Sequence, residues 1–331
     1  MPKIGFVGVA RERLEKYQDP SDIPEGSEIV FVAPGYTEDE LVEQVGDAEC
    51  LVVDPVCTIT SGMIARMPKL RLVHSEGVAF NNFDLDAAKE RGVFVCNNFG
   101  CNAAAVAEHT VMLMLCCLKD IIAADRSVRE GRLSEAKRAY MAAGPRQLSS
   151  LHVGLVGFGA IARETAARLR VFGSRVSYYD VFRRTPEDEE RLGVSYLELD
   201  ELFHKCDLVS IHVPVTPDTI GLVDAERLSR MKPTAFLINT SRGQTVDQKA
   251  LASAILEGKI AGAALDVLDP EPPLPDNPLL NLPAPYADRI VFTPHTAGIT
   301  REAFKQVYHG AWENVRRVMN GERPKDIVNG L

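Results

Sequence analysis

Three ionisable residues of complementary chemistry each follow a segment that reads as a strand in the later part of the chain. Arg242 stands in Asn239-Thr240-Ser241-Arg242-Gly243, Glu271 in Asp266-Val267-Leu268-Asp269-Pro270-Glu271-Pro272, and His295 in Thr293-Pro294-His295-Thr296-Ala297-Gly298. An imidazole donates and accepts a proton near neutral pH. A buried carboxylate beside it would orient it and favour its charged form. A guanidinium can hold a substrate carboxylate through two parallel hydrogen bonds and polarise a neighbouring carbonyl. Taken singly, each has a plain alternative: Arg242 as a surface ion-pair partner, Glu271 as a solvated loop acid, His295 as a loop residue satisfied by its own backbone. Three of them at the ends of successive strands are harder to explain that way, because open α/β sheets bind ligands at the carboxyl ends of their strands.

The elements that must position them begin with Val153-Gly154-Leu155-Val156-Gly157-Phe158-Gly159-Ala160-Ile161-Ala162. This stretch reads as a buried strand, a glycine turn and the opening of a helix. A second strand, Val176-Ser177-Tyr178-Tyr179, then ends at Asp180, roughly 20 residues on, as a dinucleotide fingerprint requires. Gly157 permits the tight turn and Gly159 lets the backbone approach a pyrophosphate. Ala160 and Ile161 open a helix whose unpaired N–H groups and positive dipole end favour that anion. Ala162 stands at the third glycine position, which helix–strand packing tolerates. Asp180 suits the ribose hydroxyls of NAD and would repel a 2′-phosphate. Arg183 and Arg184 could support NADP if they turned toward the ribose, but read first as a solvated pair before the acidic run Glu187–Glu190. NAD is therefore the expected cofactor, and hydride transfer to a ketone gives the histidine its proton to donate.

Around this core the chain alternates strands with helices. Ile4–Val9, Glu28–Val32, Cys50–Val53, Leu70–Val73 and Val93–Cys96 read as strands, and Tyr36–Gly46, Ile59–Met67 and Phe83–Arg91 as helices, with Thr60-Ser61 and Asp84 near caps. Gly5-Phe6-Val7-Gly8 lacks a third small residue and a following acid, so it is a strand end. Asn102–Leu118 is an apolar helix with Asn102 as a plausible cap. A charged stretch follows at Asp120–Arg138, and Met141–Ser150 reads as a connector. The later strands Val153–Val156, Arg175–Tyr179, Leu208–Val213, Ala235–Asn239, Gly262–Asp266 and Ile290–Phe292 predict one mainly parallel sheet. The proline-dense Asp269–Pro285 interrupts it and cannot be regular structure. Thr300–Asn320 is an amphipathic helix that needs a surface to pack on.

With 331 residues, 46% hydrophobic and 25% charged, the chain is of ordinary globular composition and long enough for two domains. A formal net charge of −9 argues against nucleic acid or an anionic membrane as partner. The 7 cysteines show neither CxxC pairing nor Cys/His spacing for zinc, so no metal is expected, and they suit a reducing, cytoplasmic setting. Nothing in the first residues has the form of a signal peptide, and no run approaches the roughly 18 apolar residues of a membrane span.

The sequence resembles the D-isomer-specific 2-hydroxyacid dehydrogenases over nearly its whole length. The resemblance rests on Gly77-Val78-Ala79-Phe80-Asn81-Asn82-Phe83-Asp84, Val106-Ala107-Glu108-His109-Thr110, the glycine fingerprint, His212-Val213-Pro214-Val215-Thr216, Asn239-Thr240-Ser241-Arg242-Gly243, Ala264-Leu265-Asp266-Val267, Glu271-Pro272 and Pro294-His295. It implies two doubly wound domains, a Rossmann NAD-binding domain (102–294) inserted into a flavodoxin-like substrate domain (1–101 plus 295–331). It implies that His295 is the acid/base, that Glu271 orients and charges it, and that Arg242 holds the 2-oxoacid. The backbone at Gly77 and Val78 would receive the substrate carboxylate. His212, Val213 and Pro214 would line the adenine pocket, Thr240 would join the cofactor contacts, and Asp266 would bond the nicotinamide carboxamide. The helix from Asn102 would pack in a homodimer interface.

Within that resemblance, Ser75-Glu76-Gly77 is unusual, since it sets a carboxylate just before the amides expected to bind one. No Lys or Arg stands in Ser75–Asn82 or Asp54–Thr58, which disfavours a phosphorylated substrate. A small unphosphorylated 2-oxoacid or 2-hydroxyacid is expected: hydroxypyruvate, glyoxylate or a simple alkyl or aryl analogue. Alternatives are phosphoglycerate or phosphite oxidation, or an NAD(H)-sensing corepressor-like scaffold. Formate oxidation is disfavoured by Glu271, where the formate type carries glutamine.

Overall fold

Apolar runs without alternation, such as Cys50-Leu51-Val52-Val53, are what a strand needs when helices cover both of its faces. The computed structural model describes residues 2–331 and divides into two units, one running to Asn102 and resuming at Ile299, the other spanning Ala103–Gly298.

In the first unit, β1 (Lys3–Val7), β2 (Glu28–Val32), β3 (Cys50–Val53), β4 (Leu72–Ser75) and β5 (Phe94–Cys96) form a parallel sheet in the order β2-β1-β3-β4-β5. That is the flavodoxin-like winding. One face packs Val7, Val53, Val73 and Val95 against Leu41, Val45, Met63, Ile64 and Ala88. Those residues come from the helices Glu38–Val45, Ser61–Ala65 and Leu85–Glu90. Thr37 closes a capping box with Glu40, Thr60 caps through Met63 N–H, and Asp84 caps through Ala87 N–H. The other face packs Ile4, Phe6, Val52 and Leu72 against Val307, Tyr308, Ala311, Trp312 and Val315. These lie on the helix Arg301–Met319, capped by Thr300. The surface expected for that amphipathic helix is this sheet, with the Phe6 and Trp312 rings 5.3 Å apart.

In the second unit, β6 (His152–Val156), β7 (Arg175–Tyr179), β8 (Ser195–Tyr196), β9 (Leu208–Ile211), β10 (Phe236–Asn239), β11 (Gly262–Leu265) and β12 (Ile290–Phe292) are all parallel, in the order β12-β11-β10-β9-β6-β7-β8. Counted from β6 this is the Rossmann order, and the direction of winding reverses between β6 and β9. The helices Ala103–Lys119 and Ala160–Val171 bury Val111, Leu113, Met114, Ala162, Ala166 and Leu169 on one face. The helices Leu199–Lys205, Ala225–Arg230 and Gln248–Leu256 cover the other.

Several local expectations change. The first strand stops at Val7 because Gly8 takes φ 73°. Two-residue β8, with Ser195 and Tyr196 half-buried at the sheet edge, carries too short a pattern to be read. The side chain of Asn102 caps nothing, since its buried Oδ1 has no partner. The charged stretch resolves into the helices Ile121–Arg129 and Leu133–Ala143, so the connector begins only at Gly144, which ends the second of them in a left-handed conformation. Asp269–Pro285 contains neither helix nor strand. No helix among the described residues is long and apolar enough to cross a membrane.

Trp312 is fully buried between helix and sheet, so Trp312→Ala should remove about 3–5 kcal/mol of stability. Urea titration followed by circular dichroism checks this; an unchanged midpoint would show that the helix does not depend on this contact.

Candidate active site

The turn after β6 is shaped to receive a phosphate group. Gly157 sits at φ 89°, donates its N–H to Tyr179 O at 2.8 Å, and leaves no room for a side chain, since a Cβ would lie 2.9 Å from the His212 carbonyl carbon. Gly159 is the opposite case: a Cβ there would meet nothing within 4 Å, so the backbone faces open space. Gly159 is the N-cap of the helix Ala160–Val171 and supplies no side-chain cap, which leaves the amides of Ala160 and Ile161 without intrahelical acceptors. Asp180 is held against the turn, its carboxylate accepting from Phe158 N at 2.6 Å and Phe182 N at 2.9 Å. These features fit a dinucleotide, with a pyrophosphate on the amides and a carboxylate for the ribose.

The two arginines after Asp180 are engaged. Arg183 pairs with Glu189 at 2.9 Å and lies 4.8 Å from the Tyr196 ring. Arg184 donates to Phe158 O at 3.2 Å. The solvated pair read from the sequence is thus partly bound. His212, at the end of β9, bonds Ser210 Oγ through Nε2 at 2.9 Å, and burial pushes it down to about 4, so it is neutral at physiological pH. Val213 and Pro214 follow it out of the sheet. Thr240 is buried, its hydroxyl 3.0 Å from that of Thr110.

Arg242, Glu271 and His295 all lie in the second unit, on loops that leave the carboxyl ends of β10, β11 and β12. Asn239 shapes the first loop: its Oδ1 accepts from Ser241 N and Oγ at 2.9 and 2.8 Å, and its Nδ2 donates to Arg242 O at 3.0 Å. The Arg242 guanidinium uses Nη1 on Ser241 O at 2.7 Å. Burial holds it below its ordinary pKa, an effect opposed by the charge of Glu271. Glu271 Oε1 lies 2.7 Å from His295 Nδ1, so the other ring nitrogen, Nε2, is left for proton exchange. The carboxylate is not buried as expected: the Glu271 and His295 side chains are 48% and 41% exposed.

His295 is held in a rare backbone conformation, φ 55°, of the kind that persists only where surroundings over-determine it. Asp266 does so. Its buried carboxylate accepts from Thr293 Oγ1 at 2.5 Å, Thr296 N at 3.0 Å and Ala297 N at 2.9 Å, and its carbonyl accepts from His295 N at 2.8 Å. His109 Nε2 completes the group, 2.9 Å from Thr293 Oγ1 and 3.5 Å from Asp266 Oδ1. His109 and Thr293 lie within the motifs Val106–Thr110 and Thr293–Gly298, where nothing in the sequence alone marks them for this role. Their only signal was that both are polar groups bordering apolar segments.

Gly77 and Val78 lie in the first unit, just past β4. The loop is pinned by its carbonyls: Asn98 N donates to Gly77 O at 3.0 Å and Asn97 Nδ2 to Val78 O at 2.7 Å. The amides of Val78 and Ala79 have no acceptor among the described residues, as an anion-binding loop requires. Glu76 turns inward, 6% exposed, and is met by a cation from far along the chain. Arg13 reaches its carboxylate through Nε at 3.2 Å and Nη2 at 2.5 Å, and Tyr308 Oη donates to it at 2.5 Å.

Residues 111–297 match the D-isomer specific 2-hydroxyacid dehydrogenase, NAD binding domain. The chain is 38% identical to a glyoxylate reductase of Thermofilum pendens over 88% of its own length and 85% of that protein. It is 36% identical to a D-3-phosphoglycerate dehydrogenase of Archaeoglobus fulgidus over 91% of its length, spanning 55% of that longer protein. The structure superimposes on D-lactate dehydrogenase from Aquifex aeolicus complexed with NAD and lactic acid, with a TM-score of 0.79, 30% identity and 96% of each chain covered. The chain belongs to the D-isomer-specific 2-hydroxyacid dehydrogenase family. It is an NAD-dependent oxidoreductase acting on the CH–OH group of 2-hydroxy acids.

Because a Cβ at Gly157 would collide with backbone at 2.9 Å and the φ is 89°, Gly157→Ala should weaken NADH binding at least about tenfold, the equivalent of 1.4 kcal/mol. Fluorescence titration with NADH reads the loss; wild-type affinity would show that the turn is not part of the cofactor site.

Proposed function

We propose that this chain interconverts a small unphosphorylated 2-oxoacid, such as hydroxypyruvate, glyoxylate or a simple alkyl or aryl analogue, with its D-2-hydroxyacid. The observation that carries this reading is the 2.7 Å His295–Glu271 contact on the same strand-end edge as a partly desolvated Arg242 whose remaining N–H groups are free for a carboxylate. The unit built to Asn102 and from Ile299 is assigned the oxoacid, and the unit Ala103–Gly298 the cofactor.

NAD(H) supplies or accepts the hydride. Its pyrophosphate is assigned to the amides at Gly159, Ala160 and Ile161, its ribose to Asp180, its adenine to His212, Val213 and Pro214, and its carboxamide to Asp266, with Thr240 alongside. In reduction His295 Nε2 gives its proton to the carbonyl oxygen; in oxidation it takes the hydroxyl proton. Glu271 fixes the ring through Nδ1 and stabilises the imidazolium. Arg242 binds the oxoacid and polarises its carbonyl, and the Gly77–Val78 backbone receives the carboxylate.

A homodimer through the helix Ala103–Lys119 is in keeping with the apolar side chains that stay exposed on the two helices following it, Ile121, Ile122, Val128, Leu133 and Met141. The 7 unpaired thiols agree with a reducing, cytoplasmic setting.

NADH consumption against a panel of 2-oxoacids, with NADPH in parallel, tests the proposal. Turnover of a small unphosphorylated member with NADH is expected. Preference for a phosphorylated member would move the assignment to the phosphoglycerate type, and tight NADH binding without turnover to a sensing scaffold. His295→Ala should lower kcat by about 10²–10⁴-fold, the range of general acid–base catalysis. Arg242→Ala should impair both kcat and KM. Near-normal kinetics in either variant removes that residue from its role.

A further inference from the structure

Arg13, Glu76 and Asp54 form a compact charge cluster at the carboxyl end of the first unit's sheet. Asp54 follows β3 and Glu76 follows β4, so the two acids border the Gly77–Val78 loop on adjacent strands. Pro55, next to Asp54, packs on Gly77 so closely that a Cβ there would lie 3.3 Å from its Cγ. Arg13 arrives from the helix Arg11–Tyr17 and meets both acids, with Nη2 2.5 Å from Glu76 Oε2 and 3.6 Å from Asp54 Oδ2. Tyr308, from the helix Arg301–Met319, donates to Glu76 and accepts from Arg13 Nε at 3.0 Å. The Phe304 ring lies 5.5 Å from the guanidinium. One cation against two carboxylates leaves the cluster with a net negative charge, yet Arg13 and Asp54 keep 31% and 20% of their side-chain surface open.

We propose that this cluster selects against 2-oxoacids carrying a second anionic group, a phosphate or a further carboxylate, and that Glu76 does so by neutralising Arg13. This rests on the assignment of the substrate carboxylate to the Gly77–Val78 backbone. That loop begins one residue after Glu76, and Pro55, next to Asp54, packs on Gly77, so the cluster borders the residues assigned to the substrate. A guanidinium beside a bound oxoacid is otherwise an anion receptor. Here its fork is occupied by Glu76 and its charge is exceeded by the two acids. The chemistry left to the substrate's tail is neutral: a hydroxyl, an alkyl group or a ring. The missing Lys and Arg in the neighbouring loops are thus only half of the matter, since a cation is present but masked.

The test compares kcat/KM for phosphorylated and unphosphorylated hydroxypyruvate in wild type, Glu76→Gln and the double variant Arg13→Gln/Glu76→Gln, with oxaloacetate as a dicarboxylate probe. Glutamine keeps the shape and an acceptor for Tyr308 while removing the charge. Glu76→Gln should raise the ratio of phosphorylated to unphosphorylated substrate roughly tenfold, as expected for one charge removed a few ångströms away in a partly screened site, mainly through KM. The double variant should fall back toward the wild-type ratio, which a merely loosened loop would not do. An unchanged ratio in folded Glu76→Gln, or an equal rise in both variants, overturns the inference. Should Glu76→Gln fail to fold, Asp54→Asn substitutes, with a smaller rise expected and no rise overturning it. Wild type inactive on every 2-oxoacid would instead refute the proposed substrate, and this inference with it.

Discussion

The arrangement of the strand-end loops in the second unit hangs on one buried carboxylate. Asp266 follows β11 directly and accepts hydrogen bonds from a hydroxyl and two amides of the 293–297 segment, which lies just past the neighbouring strand β12. A segment of this kind would otherwise be free to choose its conformation. Charge-assisted bonds to backbone N–H groups are short and directional, and here they flank His295 on both sides. The left-handed φ of 55° at that histidine is sustained by this grip. The grip also brings His295 Nδ1 to Glu271, on a loop that two prolines stiffen. Local strain at His295 is therefore balanced by a well-satisfied carboxylate one strand away.

The first unit solves a related problem with the same tools. Its Gly77–Val78 loop presents amides without acceptors among the described residues, and a loop in that state is easily deformed. Its carbonyls are tied down by Asn97 and Asn98, which leaves the donors available. Just before the loop, the Glu76 carboxylate draws together a helix near the start of the chain and one near its end through Arg13 and Tyr308. Burying that carboxylate would be costly without partners. With an arginine fork and a phenol it becomes the fastening of the loop and an element of its electrostatics.

The two parallel sheets set these loops in place. Each sheet gathers its own strand ends along one edge, and Gly77-Val78, Asp180, Arg242, Glu271 and His295 each lie past such an end. The glycine turn after β6 shows how few side chains such a position needs: two glycines, one excluded from a Cβ by backbone and one facing open space, ahead of a helix without a side-chain cap. The family match over residues 111–297 spans the glycine turn and the three ionisable residues alike.

Features governed by neighbours in the chain were legible in the sequence alone. Buried parallel strands read as apolar runs, the glycine turn and Asp180 follow a fixed local order, and helix caps such as Thr60 and Asp84 act within one turn. Arg242, Glu271 and His295 could be singled out because each follows its own strand. Contacts between distant segments were decided only by the tertiary structure. Arg13 and Glu76 are 63 positions apart and Glu76 and Tyr308 232, so a cation absent from the loop's own sequence could still be delivered to it. Glu271 was expected buried and is half-exposed, because exposure depends on what the surrounding loops cover. The grip of Asp266 on the histidine segment was equally hidden, since hydrogen bonds across adjacent strand ends leave no periodicity in either strand. Local order is written in residue type and spacing; pairing across the fold depends on the geometry of packing.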